Sequence, residues 1–326
     1  MNKAAIILLL LATAAEAQMS YPPAADMEGS TAIHKSSTAF TGWATGVEVV
    51  RGYVQISDPT IAHNGSNKAT YGTPEDAIGI PDVGAVSLGD AGTATVTFAQ
   101  PIANGEGYDF AVFENGTDTF LELAFVEVSS DGVNFFRFPA VSETQTVTPV
   151  GGFGALEARN LNNLAGKYRV DYGTPFNLDD VPNDPLLNKA RITHVKLVDV
   201  VGSLEMPYAT YDSNGNAIND PFPTPYYSSG FDLTGVGVIN QASLSIADND
   251  LIQFSLYPNP AEDVVTISIA EPMVRGVTIY DISGRKVLAQ QINNSVVVQV
   301  SQLTPGIYTV VLNDEGKTTS KRLVIK

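Results

Sequence analysis

Apolar and polar residues alternate at every second position along much of this chain. The alternation is clear in residues 93–98 and 195–200, and two strongly apolar runs occupy residues 110–113 and 124–128. Successive side chains of a β-strand point to opposite faces, so a period of two predicts strands. We therefore expect four strands here, each with at least one buried face, and no long amphipathic helix.

Turn-forming residues separate these runs, as is typical of all-β folds. Asp131-Gly132 stands between two apolar segments and predicts a tight hairpin turn. Residues 160–167 are the one segment for which a short helical turn is predicted. The chain is accordingly expected to be all-β.

The composition divides the chain into segments. A polar stretch at 241–253 predicts a linker between a jelly-roll-like sandwich, residues 46–240, and a smaller sandwich of about seven strands, residues 254–326. In the smaller domain Val265, Ile267 and Ile269 are expected to face inward. Residues 18–45 form a leading segment rich in Pro, Ser and Thr.

Residues 1–17 have the pattern of a signal peptide. Lys3 precedes an apolar core at residues 6–12, and Ala15-Glu16-Ala17 fits a small-x-small cleavage site. The apolar run is shorter than the roughly 20 residues that cross a bilayer. Cleavage before Gln18 is predicted, with no transmembrane segment in the mature form.

Negative charge is concentrated in the larger domain. Residues 18–253 carry 28 acidic and 10 basic side chains, whereas residues 254–326 carry 6 and 7. An acidic surface repels phosphate backbones, so nucleic acid is not an expected partner. Because the chain has no cysteine, its stability cannot come from disulfides.

Four motifs near the C-terminus occur in a specific order: LYPNP at 256–260, YDISGRKV at 280–287, LTPGIYTV at 303–310 and KRLVIK at 321–326. In order and spacing they resemble the type A C-terminal sorting domain of type IX secretion cargo, an Ig-like β-sandwich. The resemblance implies recognition by the type IX secretion machinery and export through the periplasm to the cell surface or the medium. The residues expected to carry the sorting signal are Pro258, Asn259, Pro260, Gly284, Gly306, Lys321, Arg322 and Lys326.

The larger domain has its own recurring pattern, at residues 71–79, 107–116, 125–132 and 230–237. It resembles a Bacteroidota-type family of cell-surface β-sandwich proteins of poorly defined function. It is also similar, in architecture alone, to discoidin-like carbohydrate-binding jelly rolls. These resemblances imply a surface ligand, either a glycan or a small nutrient such as a corrinoid.

Two groups of oxygen-bearing side chains are candidate calcium ligands. The first is a loop with oxygens at alternate positions, Asp212, Asn214, Asn216 and Asp220, although its spacing departs from an EF-hand. An Asn-Gly hairpin tip explains the same residues without a metal. The second flanks an apolar strand and comprises Asp109 and Glu114, followed by Asn115 and Asp118. A carboxylate next to a buried strand has to be paired, protonated or metal-bound, and Arg137 and Arg169 are the candidate partners.

A loop rich in Pro and aromatic residues, at 221–227, is the candidate ligand site. Proline limits the freedom of the loop, and tyrosine combines an apolar ring with a polar end. The alternative is that these rings cap one end of the sandwich. The residues expected to bind ligand are Trp43, Tyr208, Phe222, Tyr226 and Tyr227.

Catalytic signatures are sparse. There is no cysteine nucleophile, and the three histidines, His34, His63 and His194, form no zinc-hydrolase motif. A non-catalytic ligand-binding protein is therefore the expected function. The alternatives are a polysaccharide hydrolase that uses a carboxylate pair and a structural or adhesive surface protein.

Overall fold

The chain forms two compact units. A computed structural model describes residues 21–242, 254–269, 275–314 and 317–326, and the units divide between Ala242 and Ser243. The predicted signal peptide and most of the predicted linker lie outside the described residues. Within them, no helical segment has the length and hydrophobicity that a bilayer span requires.

The first unit contains thirteen strands in the described residues and three short 3₁₀ turns. The strands are β1 (Ile33–His34), β2 (Gly42–Val50), β3 (Val86–Ser87), β4 (Thr93–Ile102), β5 (Phe110–Glu114), β6 (Ala124–Ser129), β7 (Phe136–Arg137), β8 (Val141–Ser142), β9 (Leu161–Asn162), β10 (Leu164–Ala165), β11 (Tyr172–Phe176), β12 (Ile192–Asp199) and β13 (Asp232–Val238). The 3₁₀ turns are Pro74–Ala77, Ala158–Asn160 and Leu178–Asp180.

Eleven of these strands form one antiparallel sheet. Nine of them follow the order β1-β11-β5-β13-β2-β4-β12-β6-β10, while β3 pairs with β13 and β7 pairs with β6. Strand β2 joins the two halves, because Trp43 pairs with Gly237 of β13 while Val47 pairs with Val96 of β4. One buried cluster takes side chains from both halves, including Val112 and Val195. The halves therefore pack as two layers around a shared core.

The sequence prediction of an all-β chain is confirmed. All four alternating or apolar runs are strands, and Gly132 turns the chain after β6 at a φ of +77°. The helical turn predicted for residues 160–167 is wrong apart from Asn160, since β9 and β10 occupy half of that segment. The side chains of Leu161 and Leu164 are fully buried there, so packing decides the conformation.

The second unit has seven strands in the described residues: β14 (Phe254–Tyr257), β15 (Val264–Ile269), β16 (Arg275–Asp281), β17 (Lys286–Ile292), β18 (Ser295–Gln299), β19 (Gly306–Asp314) and β20 (Lys317–Ile325). They form a three-stranded sheet, β14-β15-β18, and a four-stranded sheet, β17-β16-β19-β20. Val265, Ile267 and Ile269 are buried, which confirms the predicted inward face.

Candidate functional site

One end of the first unit collects four loops. Because neighbouring strands are antiparallel, the C-terminal ends of β2, β5 and β12 meet the N-terminal ends of β4, β6 and β13. The loops that connect these ends, together with the β10–β11 connection, are residues 51–92, 115–123, 166–171 and 200–231. We call this region the loop end. Long loops on a rigid sheet are common positions for binding residues.

Six buried carboxylic acids at this end of the unit act on one another through their charges. Glu114 and Asp199 are the last residues of β5 and β12, and Asp232 is the first residue of β13. The full set, which we call the acidic cluster, is Asp90, Glu114, Glu122, Asp199, Asp220 and Asp232. Charged residues are rarely buried unless they have partners, so the partners of this cluster decide its role.

Backbone N–H groups of the loops satisfy several of these carboxylates. Asp199 accepts hydrogen bonds from the N–H groups of Phe231, at 2.7 Å, and Ala91, at 3.0 Å. Asp90 accepts one from Ile56 at 2.8 Å. The cluster thus holds two loops at the end of the sandwich: the 51–92 loop, at residues 56 and 91, and the 200–231 loop, at residue 231.

Two members of the cluster are less well satisfied. Asp220 is 3% exposed, and its Oδ2 accepts a hydrogen bond from the N–H of Leu123 at 3.2 Å, but its Oδ1 has no partner in the described structure. Glu122 is 7% exposed, and its carboxylate accepts no hydrogen bond from the described residues. A fully enclosed carboxylate oxygen without a donor is energetically costly, and in the cluster Asp220 Oδ1 is such an atom.

Burial raises the pKa of every acid in the cluster, and negative charge on neighbouring members adds to the rise for four of them. The pKa values of Glu114, Glu122, Asp199 and Asp220 lie well above their usual range for both reasons. Burial raises the pKa of Asp90 and of Asp232 to about 6. The Arg51 guanidinium opposes the rise at Asp232, but burial has the larger effect.

Arg51 does not neutralise the cluster through an ion pair in the described structure. Its guanidinium donates hydrogen bonds to the backbone carbonyls of Tyr71, at 2.8 Å, Gly72, at 2.7 Å, and Ser87. Ser87 in turn donates from its hydroxyl to Asp232. The acidic cluster therefore carries an excess of carboxylates over basic groups.

Aromatic rings line the outside of the loop end. Phe153 lies 6.0 Å from Tyr226 and 6.3 Å from Phe120 between ring centroids, and Tyr226 lies 5.9 Å from His63. We call these four residues the aromatic rim. Phe153 is 78% exposed and Tyr226 is 44% exposed, so the rim presents ring surface to solvent.

The rim and the acidic cluster are joined through Ser229. The backbone N–H of Ser229 donates to the carbonyl of Tyr226 at 3.1 Å, and its hydroxyl lies 3.0 Å from the carbonyl oxygen of Val54 and 3.4 Å from Asp90 Oδ1, either of which can accept its proton. Ser229 therefore contacts both the loop that carries Tyr226 and the acidic cluster.

The structure brings some of the predicted ligand-binding residues together and separates another. Tyr226 belongs to the rim, and Tyr227 packs against Tyr71 with ring centroids 5.8 Å apart. Tyr208 and Phe222 are half-buried in the same 200–231 loop. Trp43 lies at the opposite end of β2, where it packs on Phe40 and Phe113.

The predicted calcium loop is held by hydrogen bonds within the chain. Asp212 Oδ1 accepts from the N–H groups of Asn214 and Asn216, both at 2.9 Å, and Oδ2 accepts from Ser142 at 3.1 Å. Asn214 and Asn216 are exposed. Asp220, by contrast, belongs to the acidic cluster.

The second predicted acidic group is divided between the two ends of β5. Asp109 accepts hydrogen bonds from Gly105, Leu178 and Asn240 at the end opposite Glu114. Arg169 pairs with the exposed carboxylates of Asp118, at 3.6 Å, and Asp26, and no ion pair to Asp109 or Glu114 is found among the described residues. The expectation for Arg137 is wrong, because it pairs with Glu127 of the adjacent strand at 2.7 Å.

No preformed metal centre is found in the part of the chain that the structure describes. There, no three acidic or histidine side chains converge closely enough to hold an ion. The histidines are dispersed: His63 lies in the rim, His34 packs on Tyr172, and His194 packs on Phe135.

Sequence reasoning missed Asp90, Glu122, Asp199 and Asp232. The available signal was that each stands at or within three residues of the end of a strand. The same signal had identified Glu114, and Asp199 in addition shares the buried face of β12 with Val195 and Leu197.

The residues expected to carry the sorting signal lie in the second unit. Asn259 donates from its side-chain amide to the carbonyl of Arg322, at 2.8 Å, and accepts from the N–H of Val324, at 2.9 Å. Pro258 and Pro260 flank it, while Gly284 turns the β16–β17 hairpin at a φ of +79° and Gly306 begins β19. The basic residues are exposed on or just after the edge strand β20: Lys321, Arg322 and Lys326.

Comparison with known proteins identifies the second unit. Residues 255–326 match the secretion system C-terminal sorting domain, so this unit directs export to the cell surface or the extracellular medium and interacts with the type IX secretion machinery. No curated protein matches the chain.

Likeness to solved structures is slight. A β-glucuronidase from Ruminococcus gnavus in complex with D-glucuronic acid is 11% identical, with a TM-score of 0.20 over 76% of this chain and 41% of that one. A β-glucuronidase from Faecalibacterium prausnitzii is 10% identical, with a TM-score of 0.23 over 88% of this chain and 45% of that one. The chain spans less than half the length of these enzymes, and scores this low carry no functional argument.

Proposed function

We propose that the first unit is a non-catalytic module that binds a glycan at the aromatic rim. The observation that supports this most is the exposed, adjacent pair Phe153 and Tyr226, whose ring centroids are 6.0 Å apart. Flat ring surface next to a phenolic hydroxyl suits sugars, which combine apolar ring faces with hydroxyl groups. His63, Phe120 and Tyr226 stand on loops that connect strands of the large sheet, and Phe153 stands in the β8–β9 connection. Rings held by loops between paired strands lose less entropy on binding.

Charge favours a neutral glycan over an anionic one. Residues 18–253 carry 28 acidic against 10 basic side chains, so an acidic sugar would be repelled. A corrinoid is the alternative nutrient ligand, and the binding experiment includes it as a separate probe.

Burial favours binding over hydrolysis. A carboxylate pair that cleaves glycosidic bonds has to reach the scissile oxygen and the sugar carbon. Glu114 and Glu122 have the raised pKa of a general acid, but both side chains are buried. We therefore expect binding without turnover.

Replacing the two exposed rings should remove ligand binding without unfolding the protein. We expect the double variant Phe153→Ala, Tyr226→Ala to lower the affinity for a neutral glycan at least 10-fold, since two aromatic contacts of about 1 kcal/mol each are lost. Calorimetry of the exported protein against a panel of neutral and acidic glycans, with cobalamin as a separate ligand, measures this.

The matched control is Tyr108→Ala, an exposed tyrosine beside the opposite end of β5. It should bind like the unchanged protein. Equal weakening by the control, or binding that survives in the double variant, would contradict a site at the rim. If cobalamin binds and no glycan does, the ligand is a corrinoid and not a glycan.

A further inference from the structure

We propose that the acidic cluster is a buried site for a divalent cation of the calcium type, with Asp220 and Glu122 as its side-chain ligands. This inference does not depend on glycan binding, and it assigns the metal to residues other than the Asp212 turn.

The first support is the imbalance of charge. Six carboxylic acids are buried at the loop end, and the guanidinium of Arg51 is held by three backbone carbonyls. Burying unpaired charge costs several kcal/mol for each ion, so such groups take up either protons or a cation. A divalent ion would neutralise two carboxylates at once.

The second support is the unused bonding capacity of two members. Asp220 Oδ1 is enclosed and has no hydrogen-bond partner in the described structure, while Oδ2 is held by Leu123. Leu123 directly follows Glu122, whose carboxylate is also without a donor among the described residues. The negative charges of Asp220 and Glu114 act on Glu122, so these oxygens share one acidic interior.

The chemistry of the donors selects the class of ion. The cluster offers only oxygen atoms, which calcium and magnesium prefer to nitrogen or sulfur. Calcium accepts irregular sets of 6–8 oxygens that include backbone carbonyls and water, whereas magnesium demands near-octahedral geometry. Because no three acidic side chains converge in the described residues, a set of two carboxylates completed by carbonyls and water is expected.

The destination of the exported protein agrees with a modest affinity for calcium. The sorting domain directs the protein to the surface or the medium. Calcium sites of extracellular modules typically have Kd values of about 10⁻⁴–10⁻³ M, which a loose two-carboxylate site can reach.

The test is calcium-dependent thermal stability of the exported protein after treatment with EDTA. A ligand that binds only the folded state raises Tm, so we expect a rise of roughly 5 °C when calcium is about 100-fold above Kd. Magnesium at the same concentration should give a smaller rise. Elemental analysis after equilibrium dialysis at that calcium concentration should find one bound calcium for each chain.

Two substitutions and two matched controls locate the ion. Asp220→Asn and Glu122→Gln each keep the shape of the side chain, and each should lower the affinity for calcium at least 10-fold. Asp212→Asn tests the hydrogen-bonded turn, and Asp109→Asn tests a buried carboxylate at the other end of β5; both should keep the calcium response. Because either cluster variant could lose stability, bound calcium is also measured directly by elemental analysis.

Proton release provides an independent readout. A cation that displaces protons from buried carboxyls should bind more weakly at pH 5 than at pH 7, and its binding heat should depend on the buffer. The proposal is overturned if calcium leaves Tm unchanged, if both cluster variants respond like the unchanged protein, or if Asp212→Asn alone abolishes the response. The rim variants should keep the full calcium response, so failure of glycan binding and failure of this site are distinguishable.

Discussion

Asp109→Ala is expected to lower the free energy of unfolding of the first unit by about 3 kcal/mol or more. The carboxylate of Asp109 is fully buried and accepts from Gly105 at 2.8 Å, Leu178 at 2.7 Å and Asn240 at 2.9 Å. Alanine would leave three donors without an acceptor, and each donor that stays buried costs about 1–3 kcal/mol. Gly105 is exposed, so water can replace part of its bond.

Urea denaturation measures this loss, and Asp179→Ala is the control. Asp179 is an exposed carboxylate near the same loop that accepts a hydrogen bond from Asn104 at 2.7 Å. Exposed hydrogen bonds compete with water, so the control should change stability by less than about 0.5 kcal/mol. A loss below 1 kcal/mol in Asp109→Ala would show that these bonds are not what holds the three segments together.

Lys167→Met is expected to stabilise the protein at pH 6 and to lose that advantage as the pH rises. Lys167 is 4% exposed, and its Nζ donates to the carbonyl of Leu161 at 2.8 Å. Burial lowers the pKa of this amine from 10.5 to about 7. The unfolded chain therefore binds a proton more tightly than the folded protein does.

The direction of this pH dependence follows from proton linkage. Below pH 7 both states are protonated and the folded state bears the full cost of the buried charge; this cost fades between pH 7 and 10.5. A fall in pKa of about 3.5 corresponds to about 4.8 kcal/mol. Methionine also loses the bond to Leu161 and the contact with the Tyr168 ring, 5.5 Å away, so the expected net gain at pH 6 is about 2 kcal/mol.

Denaturation at pH 6 and pH 9 tests this, with Lys68→Met as the matched variant. The amine of Lys68 also lies over a tyrosine ring, 3.2 Å from the centroid of Tyr53, but Lys68 is only half-buried. It should show no stabilisation that fades with pH. If Lys167→Met destabilises the protein at pH 6, the interactions of the buried ammonium group outweigh the cost of its burial.

The sequence predicted those features that depend on neighbouring residues. The strand alternation located β4, β5, β6 and β12, and the ordered C-terminal motifs identified the sorting domain. These signals are local: each needs only a period of two or a turn residue at a fixed offset.

Features that depend on which strands become neighbours were not predictable. Trp43 and Tyr226 both suggest a ligand surface in sequence, yet β2 carries Trp43 to the end opposite the rim. Asp199 follows five residues of regular alternation, and nothing nearby shows that Phe231 and Ala91 will donate to it. The acidic cluster exists because residues far apart in the chain meet where antiparallel strands end.

The position of β13 has a consequence for how the polypeptide matures. This last strand of the first unit inserts between β5 and β2, which are synthesised far earlier. A growing chain that has not reached residue 232 has two open sheet edges and no partner for either, so the layered sheet can close only late, through contacts distant in sequence. Among the described residues the sorting domain contributes no strand to that sheet, so a protease that cleaved after Ala242 would leave its strand pairing intact.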